Sequence, residues 1–172
     1  MFSFIAIKNK ISSALINNKR RHAFLKLDDI QKVLILFTYK DWDDVHEIVK
    51  DLESKGKSVE LWTTYSQRNA KEDVSVPAKR VRVITPKEIS RWWGVSSSTV
   101  EEFGRLEYDT LLDLTTKKDK SILYLLARNS AKFCIGIKEP EHKFFDFILL
   151  KEDDANLQET YIHIKNYLNN MC

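Results

Sequence analysis

One segment of the chain constrains the fold more than any other, because it joins two apolar runs through an amphipathic helix. Residues Val33–Phe37 read VLILF, which is typical of a strand buried on both faces of a sheet. A helix is predicted over residues 42–55 and ends at Gly56, and Val59–Thr63 (VELWT) predicts the next strand. A right-handed crossover through this helix would make the two strands parallel neighbours.

The remainder of the chain repeats this alternation of apolar runs and helical patterns. Further strands are predicted at 81–84, Tyr108–Leu114, Phe133–Ile137 and Phe144–Leu150. Further helices are predicted at 86–93, 98–106, 121–128 and 157–168, with a polar loop at 66–77. Strands that alternate with helices predict a Rossmann-like three-layer α/β fold with a mostly parallel sheet of about six strands.

Residues 1–27 differ from the rest in charge, and they are expected to form an N-terminal arm followed by a single domain at residues 28–172. The arm contains six basic residues and no acidic one, whereas the net charge of the whole chain is only +3. Apolar side chains recur there at helical spacing, which predicts an amphipathic basic helix. Its candidate contact residues are Phe4, Ile7, Ile11, Lys19, Arg20 and Arg21.

Three kinds of partner suit an arm of this composition. Its apolar face can dock on its own domain or on a protein partner, which is the most common use of such a helix. An apolar stripe followed by basic residues also suits the inner surface of a membrane that carries anionic lipid. Contact of Lys19–Arg21 with nucleic acid is the least favoured alternative.

Composition and cysteine use indicate a cytoplasmic protein. With 172 residues, of which 43% are hydrophobic and 31% charged, the chain suits one globular domain and not a disordered segment. Cys134 and Cys172 form no CxxC pair, as is typical of a reducing compartment. The apolar start is too short for a secretory signal, and no apolar run approaches the ~20 residues that span a bilayer. Peripheral attachment to the inner membrane is the alternative location.

The glycines and histidines argue against several kinds of chemistry. The four glycines are isolated, whereas a dinucleotide fingerprint or a P-loop needs glycines in a cluster. The turn after the first strand, Tyr39–Trp42, carries bulky side chains that would keep a phosphate from the backbone. The four histidines lie in separate segments, without metal-ligand spacing. We therefore expect no cofactor, no metal and no self-sufficient catalytic site.

Polar residues at the ends of two predicted strands mark the crevice where a ligand could bind. In open parallel sheets, ligands bind beyond the carboxyl ends of the strands, near the point where the strand order reverses. Asp41 follows the first strand, and the fourth strand contains Asp113 and continues into further polar residues. The candidate crevice consists of Asp41, Asp113, Thr115, Thr116 and Lys117.

Structural roles compete with functional ones at this crevice. Asp41 or Asp43 could cap the helix that follows the first strand. The helix after the fourth strand has its own candidate caps, namely Thr115, Thr116 and Asp119. Asp113 lies inside an otherwise apolar strand, where a carboxylate must find hydrogen-bond donors or lose solvation free energy. It is therefore the residue that a structural role explains least well.

The segment Glu88–Val100 resembles a helix-turn-helix, because Gly94 could form the turn and Thr99-Val100 could begin a second helix. Glu101-Glu102 would, however, bring negative charge towards DNA phosphates. Strands are predicted on both sides, so a third helix is lacking. A loop followed by a helix with a capping box at Ser98 is the preferred interpretation.

Several stretches resemble a small uncharacterised bacterial family of about this length. They are Lys32–Phe37, Ile89–Gly94 with Val100–Phe103, Tyr108–Leu114, and Ala127–Gly136 with Phe145–Ile148. The resemblance covers nearly the whole chain and implies the fold without an activity. Tyr108–Leu114, an apolar helix and Ala131–Gly136 are also similar to the acceptor-side half of heptosyltransferase-like two-domain glycosyltransferases. Those enzymes bind the nucleotide-sugar donor mainly in a second domain, for which this chain is too short.

These observations favour a non-catalytic binding or assembly module in the cytoplasm, whose N-terminal helix docks on a partner protein or on the inner membrane surface. The first alternative is an enzyme or accessory subunit that binds a sugar or nucleotide near Asp41 and Asp113. The second alternative is nucleic-acid binding through the basic arm. The identity of a small-molecule ligand is beyond what these patterns can predict.

Overall fold

The computed structural model describes residues 2–65, 74–90 and 94–170, without the side chains of residues 2–4 and 90. Its helices are α1 (Phe2–Asn17), α2 (Trp42–Ser54), α3 (Ser97–Gly104), α4 (Lys120–Leu126) and α5 (Leu157–Asn170). Its first five strands are β1 (Lys32–Thr38), β2 (Ser58–Thr64), β3 (Arg82–Ile84), β4 (Ile89–Ser90) and β5 (Gly94–Val95). The last three are β6 (Thr110–Leu114), β7 (Phe133–Gly136) and β8 (Phe147–Ile148). None of the described helices is long and apolar enough to cross a membrane.

Six strands form one parallel sheet, which confirms the predicted α/β class. Their order is β3-β2-β1-β6-β7-β8, and each neighbouring pair runs parallel. Counted along the chain within this sheet, the order is that of a Rossmann fold, with successive strands added outward from β1 in both directions. The strand order therefore reverses between β1 and β6, where Leu36 pairs with Asp113.

The sheet separates two apolar layers, and β1 contributes to both. Ile35 and Phe37 pack in the layer with α2 and α5, whereas Leu34 and Leu36 pack in the layer with α1, α3 and α4. All four side chains are fully buried, as the VLILF run predicts for a central strand. The carboxyl ends of the parallel strands β1 and β6 therefore lie together at one edge of this buried core.

The predicted helix at residues 86–93 is wrong. A 3₁₀ turn covers Pro86–Glu88 and leads into β4, which pairs antiparallel with β5 in a small separate hairpin. Gly94 makes this possible because its φ of 80° lies in the left-handed region, which other residues rarely adopt. Arg91–Trp93 lie outside the described residues. The hairpin also removes the first helix of the helix-turn-helix resemblance.

Several element boundaries differ from those expected. The cap of α3 is Ser96, whose Oγ accepts a hydrogen bond from the backbone N–H of Thr99, so the expected Ser98 capping box is wrong. The strand expected at Tyr108–Leu114 begins at Thr110, and the one expected at Phe144–Leu150 has only two residues assigned to it. The polar loop predicted at 66–77 lies partly outside the described residues.

The N-terminal helix packs on the same chain. Ile7 and Ile11 are buried in the layer that contains α4. Asn18 Nδ2 donates hydrogen bonds to the carbonyl oxygens of Ala127 and Asn129, at 3.0 and 2.9 Å. The segment that leaves α1 is therefore fixed to the turn that follows α4.

A candidate ligand site at the switch point of the sheet

Asp113 is the most unusual side chain at the point where the strand order reverses. Its carboxylate is fully buried at the carboxyl end of β6, and Oδ1 accepts hydrogen bonds from the backbone N–H and Oγ1 of Thr115, at 2.9 and 2.6 Å. Its second oxygen, Oδ2, is the one buried side-chain nitrogen or oxygen atom among the described residues that has no hydrogen-bond partner. Burial raises the pKa of this carboxyl above its ordinary value, although Lys138 and Thr115 oppose the shift.

Lys138 provides the positive charge that faces this carboxylate. Its Nζ lies 3.7 Å from Asp113 Oδ2 and donates a hydrogen bond of 2.7 Å to the carbonyl oxygen of Thr115. It also contacts Thr115 Oγ1. The Lys138 side chain is 27% exposed, so solvent reaches part of it. Asp113 and Thr115 therefore hold a partly exposed cation at the edge of the sheet.

Asp41 contacts Thr116, the residue that follows Thr115 in the turn after β6. Its Oδ2 accepts a hydrogen bond of 2.5 Å from Thr116 Oγ1, and the backbone N–H of Thr116 donates one of 2.9 Å to Thr38 Oγ1. Asp41 occupies the position before α2, but neither it nor Asp43 caps that helix through its side chain. The expected capping role is therefore wrong, because the Asp41 carboxylate is engaged across the switch point.

Asp119 is the cap of α4, as one of the alternatives predicts. Its Oδ1 accepts hydrogen bonds from the backbone N–H groups of Ser121 and Ile122, at 2.8 and 3.2 Å. Its Oδ2 accepts one of 2.5 Å from Thr64 Oγ1 at the end of β2. The carboxyl ends of three neighbouring strands are thus joined by hydrogen bonds from threonine side chains and the Thr116 backbone.

Four of the five predicted crevice residues are held in this network. Asp113 contacts Thr115, and Asp41 contacts Thr116, so the two carboxylates bind consecutive residues. Lys117 is exposed on the same turn. Lys138 is not among the predicted crevice residues, although it directly follows the fifth predicted strand, Phe133–Ile137. Its position after a strand end is the sequence signal that points to it.

The residues of the predicted interaction arm are divided between core and surface. Ile7 and Ile11 are buried, and the side chain of Phe4 lies outside the described part of the chain. Arg20 is only 6% exposed and forms a bidentate ion pair with Asp146, with N–O distances of 2.8 and 3.1 Å. Lys19 and Arg21 remain exposed.

The edge of the sheet is suited to binding small polar groups. A fixed ammonium group attracts phosphate or carboxylate oxygens, and carboxylates such as that of Asp41 accept hydrogen bonds from hydroxyl groups. Within the described residues, no group of three histidine, cysteine, aspartate or glutamate side chains could hold a metal ion. The arrangement therefore offers charge and hydrogen bonds to a ligand.

A comparison with curated proteins found no significant match. A family profile described as "Family of unknown function (DUF6913)" matches residues 5–171, which is nearly the entire sequence. This extent of match shows that the chain belongs to the family of unknown function DUF6913.

Proposed function

We propose that the protein is a non-catalytic binding module that recognises a small anionic ligand, a sugar phosphate or a nucleotide, at the switch point of its sheet. The observation that carries this proposal is the buried Asp113 carboxylate, whose Oδ2 has no hydrogen-bond partner and lies 3.7 Å from Nζ of the partly exposed Lys138. Strand ends at a switch point are where Rossmann-like domains bind their ligands.

The cost of burying Asp113 supports a functional role. A buried charge pair generally contributes less to stability than well-packed apolar side chains of similar volume. The neighbouring side chains of β6, Leu112 and Leu114, show that this strand accommodates apolar residues. A carboxylate that occupies such a position at a cost, with a shifted pKa and a charged neighbour, is typical of a functional site.

The chemistry of the site favours a ligand with both an anionic group and hydroxyl groups. Lys138 would contact the anionic group, and Thr116 with Asp41 would contact hydroxyl groups. The exposed Lys117 adds a second positive charge on the same turn. The similarity of Tyr108–Leu114 to the acceptor-side half of heptosyltransferase-like enzymes makes sugar compounds the first to test. Nucleotides are included because Rossmann-like sheets bind them at the switch point.

A thermal-shift screen of the full chain tests the proposal. The panel contains UDP, UDP-glucose, ADP and glucose 1-phosphate. A compound at 100 times its dissociation constant should stabilise the fold by about 2.7 kcal/mol, which corresponds to roughly 5–10 °C for a chain of this size. If none of the four compounds raises the thermal midpoint, the proposal is contradicted.

A matched pair of variants then locates the binding. For a compound that stabilises the fold, Lys138→Gln should raise the dissociation constant by about tenfold or more, because a charge-assisted hydrogen bond is lost. Lys50→Gln is the control, since Lys50 is 56% exposed and pairs with Glu47 on α2. Equal affinities for the two variants would place the ligand elsewhere. A specific turnover that Asp113→Asn abolishes would contradict the non-catalytic part of the proposal.

The outer face of α1 supports a second candidate function, the docking of a protein partner or an anionic membrane surface. Ile16 is 83% exposed, and the exposed Lys19 and Arg21 follow it. Deleting residues 1–27 would also remove Ile7, Ile11 and Arg20 from the fold, so point variants are the appropriate test.

Cell fractionation distinguishes this candidate function. The triple variant Ile16→Ser, Lys19→Glu and Arg21→Glu changes only exposed positions. If the wild-type chain sediments with membranes or a larger complex and the variant stays in the supernatant, the outer face of α1 is a docking surface. Identical sedimentation of both proteins would reject this function.

A further inference from the structure

Strand β8 ends the sheet and lies next to exposed apolar side chains. Phe24, Leu150 and Tyr167 are 53%, 53% and 58% exposed, and Ile148 is 36% exposed. The ring of Phe147 lies 6.0 Å from that of Phe24 and 5.8 Å from that of Tyr167, as centroid distances. We call these five residues, Phe24, Phe147, Ile148, Leu150 and Tyr167, the β8 surface.

One side of β8 is hydrogen-bonded to β7, and the described residues place no strand on its other side. The backbone N–H of Leu149 donates to the carbonyl oxygen of Gly136 at 3.0 Å, and that of Lys151 donates to Ile137 at 2.9 Å. Parallel sheets are normally covered on both faces, and an uncovered apolar edge is a template for pairing with another strand. The β8 surface therefore has the character of an interface.

The charges at the two ends of β8 are opposite in sign. At its amino end, His22 and Arg20 contact the carboxylate of Asp146. The backbone N–H of Ala23 donates a hydrogen bond to the carbonyl oxygen of Lys132. The exposed basic residues at this end are Arg21, Lys132 and Lys143. At its carboxyl end, the chain continues into the exposed acidic run Glu152–Asp154.

We propose that the β8 surface binds a second copy of this chain, with the two β8 strands antiparallel about a two-fold axis. In this arrangement, the basic end of each β8 faces the acidic run of the other copy, so the charge attraction is made twice. A two-fold interface brings the same surface of both subunits together, so that surface must be complementary to itself. A surface with an apolar centre and oppositely charged ends meets this requirement. The two sheets would join into one continuous sheet across the dimer.

Sedimentation velocity of the full chain tests this dimer. The wild-type chain should sediment as a dimer, and added salt should shift it towards monomer because the end charges are screened. Leu150→Lys should give a monomer that remains folded, since position 150 is already half exposed. Ile162→Lys is the matched control on α5, 48% exposed and outside the β8 surface, and it should remain dimeric.

A charge exchange tests the antiparallel arrangement itself. Asp153→Lys with Asp154→Lys, in one protein, should be monomeric, and so should Arg21→Glu with Lys143→Glu in another. Mixing the two proteins should restore a dimer, because unlike charges then meet at both ends of the interface. A monomeric wild-type chain at its highest soluble concentration, or a dimer that persists in Leu150→Lys, would overturn the proposal.

Discussion

The ammonium nitrogen of Lys138 lies 3.7 Å from Oδ2 of Asp113, a fully buried carboxylate oxygen that has no hydrogen-bond partner among the described residues. Asp113 lies in β6 and Lys138 follows β7, and the two meet through Thr115, which binds both of them. Burial of the Asp113 carboxylate costs solvation free energy. The pair lies where the strand order reverses, which is the region where such sheets bind ligands.

Replacing Asp113 should change how stability depends on pH. Burial raises the pKa of the Asp113 carboxyl above 3.8, so the folded chain holds this proton more tightly than the unfolded chain. The free energy of unfolding of the wild type therefore falls, relative to that of Asp113→Asn, as the pH rises from the unfolded pKa of 3.8 through the higher pKa of the folded chain. Urea unfolding of both proteins at about pH 4 and about pH 7 measures the difference. A difference that stays constant with pH would show that the carboxyl is not shifted as described.

The ion pair between Arg20 and Asp146 should be a major source of stability. The two side chains are only 6% and 13% exposed, and breaking a buried pair from one side typically costs about 3–5 kcal/mol. Arg20→Ala should therefore lower the free energy of unfolding by an amount of this order. Arg21→Ala, at the adjacent exposed position, should change it by less than about 0.5 kcal/mol. Similar effects of the two substitutions in urea unfolding would contradict this account.

The same ion pair predicts a stability loss in acid. Burial tends to raise the pKa of Asp146, but hydrogen bonds from Arg20, His22 and the Cys134 backbone lower it below 3.8. The stabilisation is therefore present above the unfolded pKa and is lost as the pH falls through the folded one. Arg20→Ala should flatten this acid-side loss. An equally steep loss in the variant would assign it to other carboxylates.

Two glycines should respond to alanine in opposite directions. A methyl group at Gly136 would overlap the ring of Phe145, and an overpacked core typically loses about 1–3 kcal/mol. Gly104 lies at the end of α3, and a methyl group there meets no atom within 4 Å. Gly104→Ala should be neutral or stabilising by up to about 1 kcal/mol. Thermal unfolding of both variants measures the two effects.

A double variant identifies the cause of the expected loss at Gly136. Combining Gly136→Ala with Phe145→Ala removes the ring that the new methyl group would strike. The effect of Gly136→Ala should then shrink, which gives a coupling energy between the two positions. Purely additive effects would show that the loss arises from the backbone of β7.

Lys57 is expected to be structural although it is charged. It is 7% exposed, and its Nζ donates hydrogen bonds to the carbonyl oxygens of Leu27 and Ile30, at 2.6 and 2.7 Å. Lys57→Met would leave both carbonyl oxygens without this donor, at a cost of about 1–3 kcal/mol. Lys55→Met, at a position 38% exposed, is the control and should cost less. Equal losses would argue against the role of these two hydrogen bonds.

The sequence predicts the sheet well because buried parallel strands have a strong and local signature. Two continuous apolar runs illustrate this, Val33–Phe37 and Phe133–Ile137. The first forms most of β1 at the centre of the sheet, and the second contains β7, which pairs with β6. The hairpin β4–β5 could not be predicted in this way, since its two-residue strands carry no periodicity and depend on the left-handed backbone of Gly94.

The candidate site was predicted in position but not in its contacts. Asp41, Asp113, Thr115 and Thr116 do lie at the switch point, because the carboxyl ends of parallel strands share one edge. Their partners are set by side-chain packing between distant segments, which a local pattern cannot show. Arg20 is a similar case, since its role depends on Asp146, which lies 126 positions away in the sequence.

The measurement that tests the proposed ligand site most directly is an NMR titration of the ¹⁵N-labelled full chain with UDP-glucose and, separately, with orthophosphate. The proposal predicts that the largest amide shift changes occur at Thr115, Thr116 and Lys138, and that Lys138→Gln removes them. Shift changes concentrated elsewhere on the chain, or none at all with either compound, would contradict the assignment of the switch point as the ligand site.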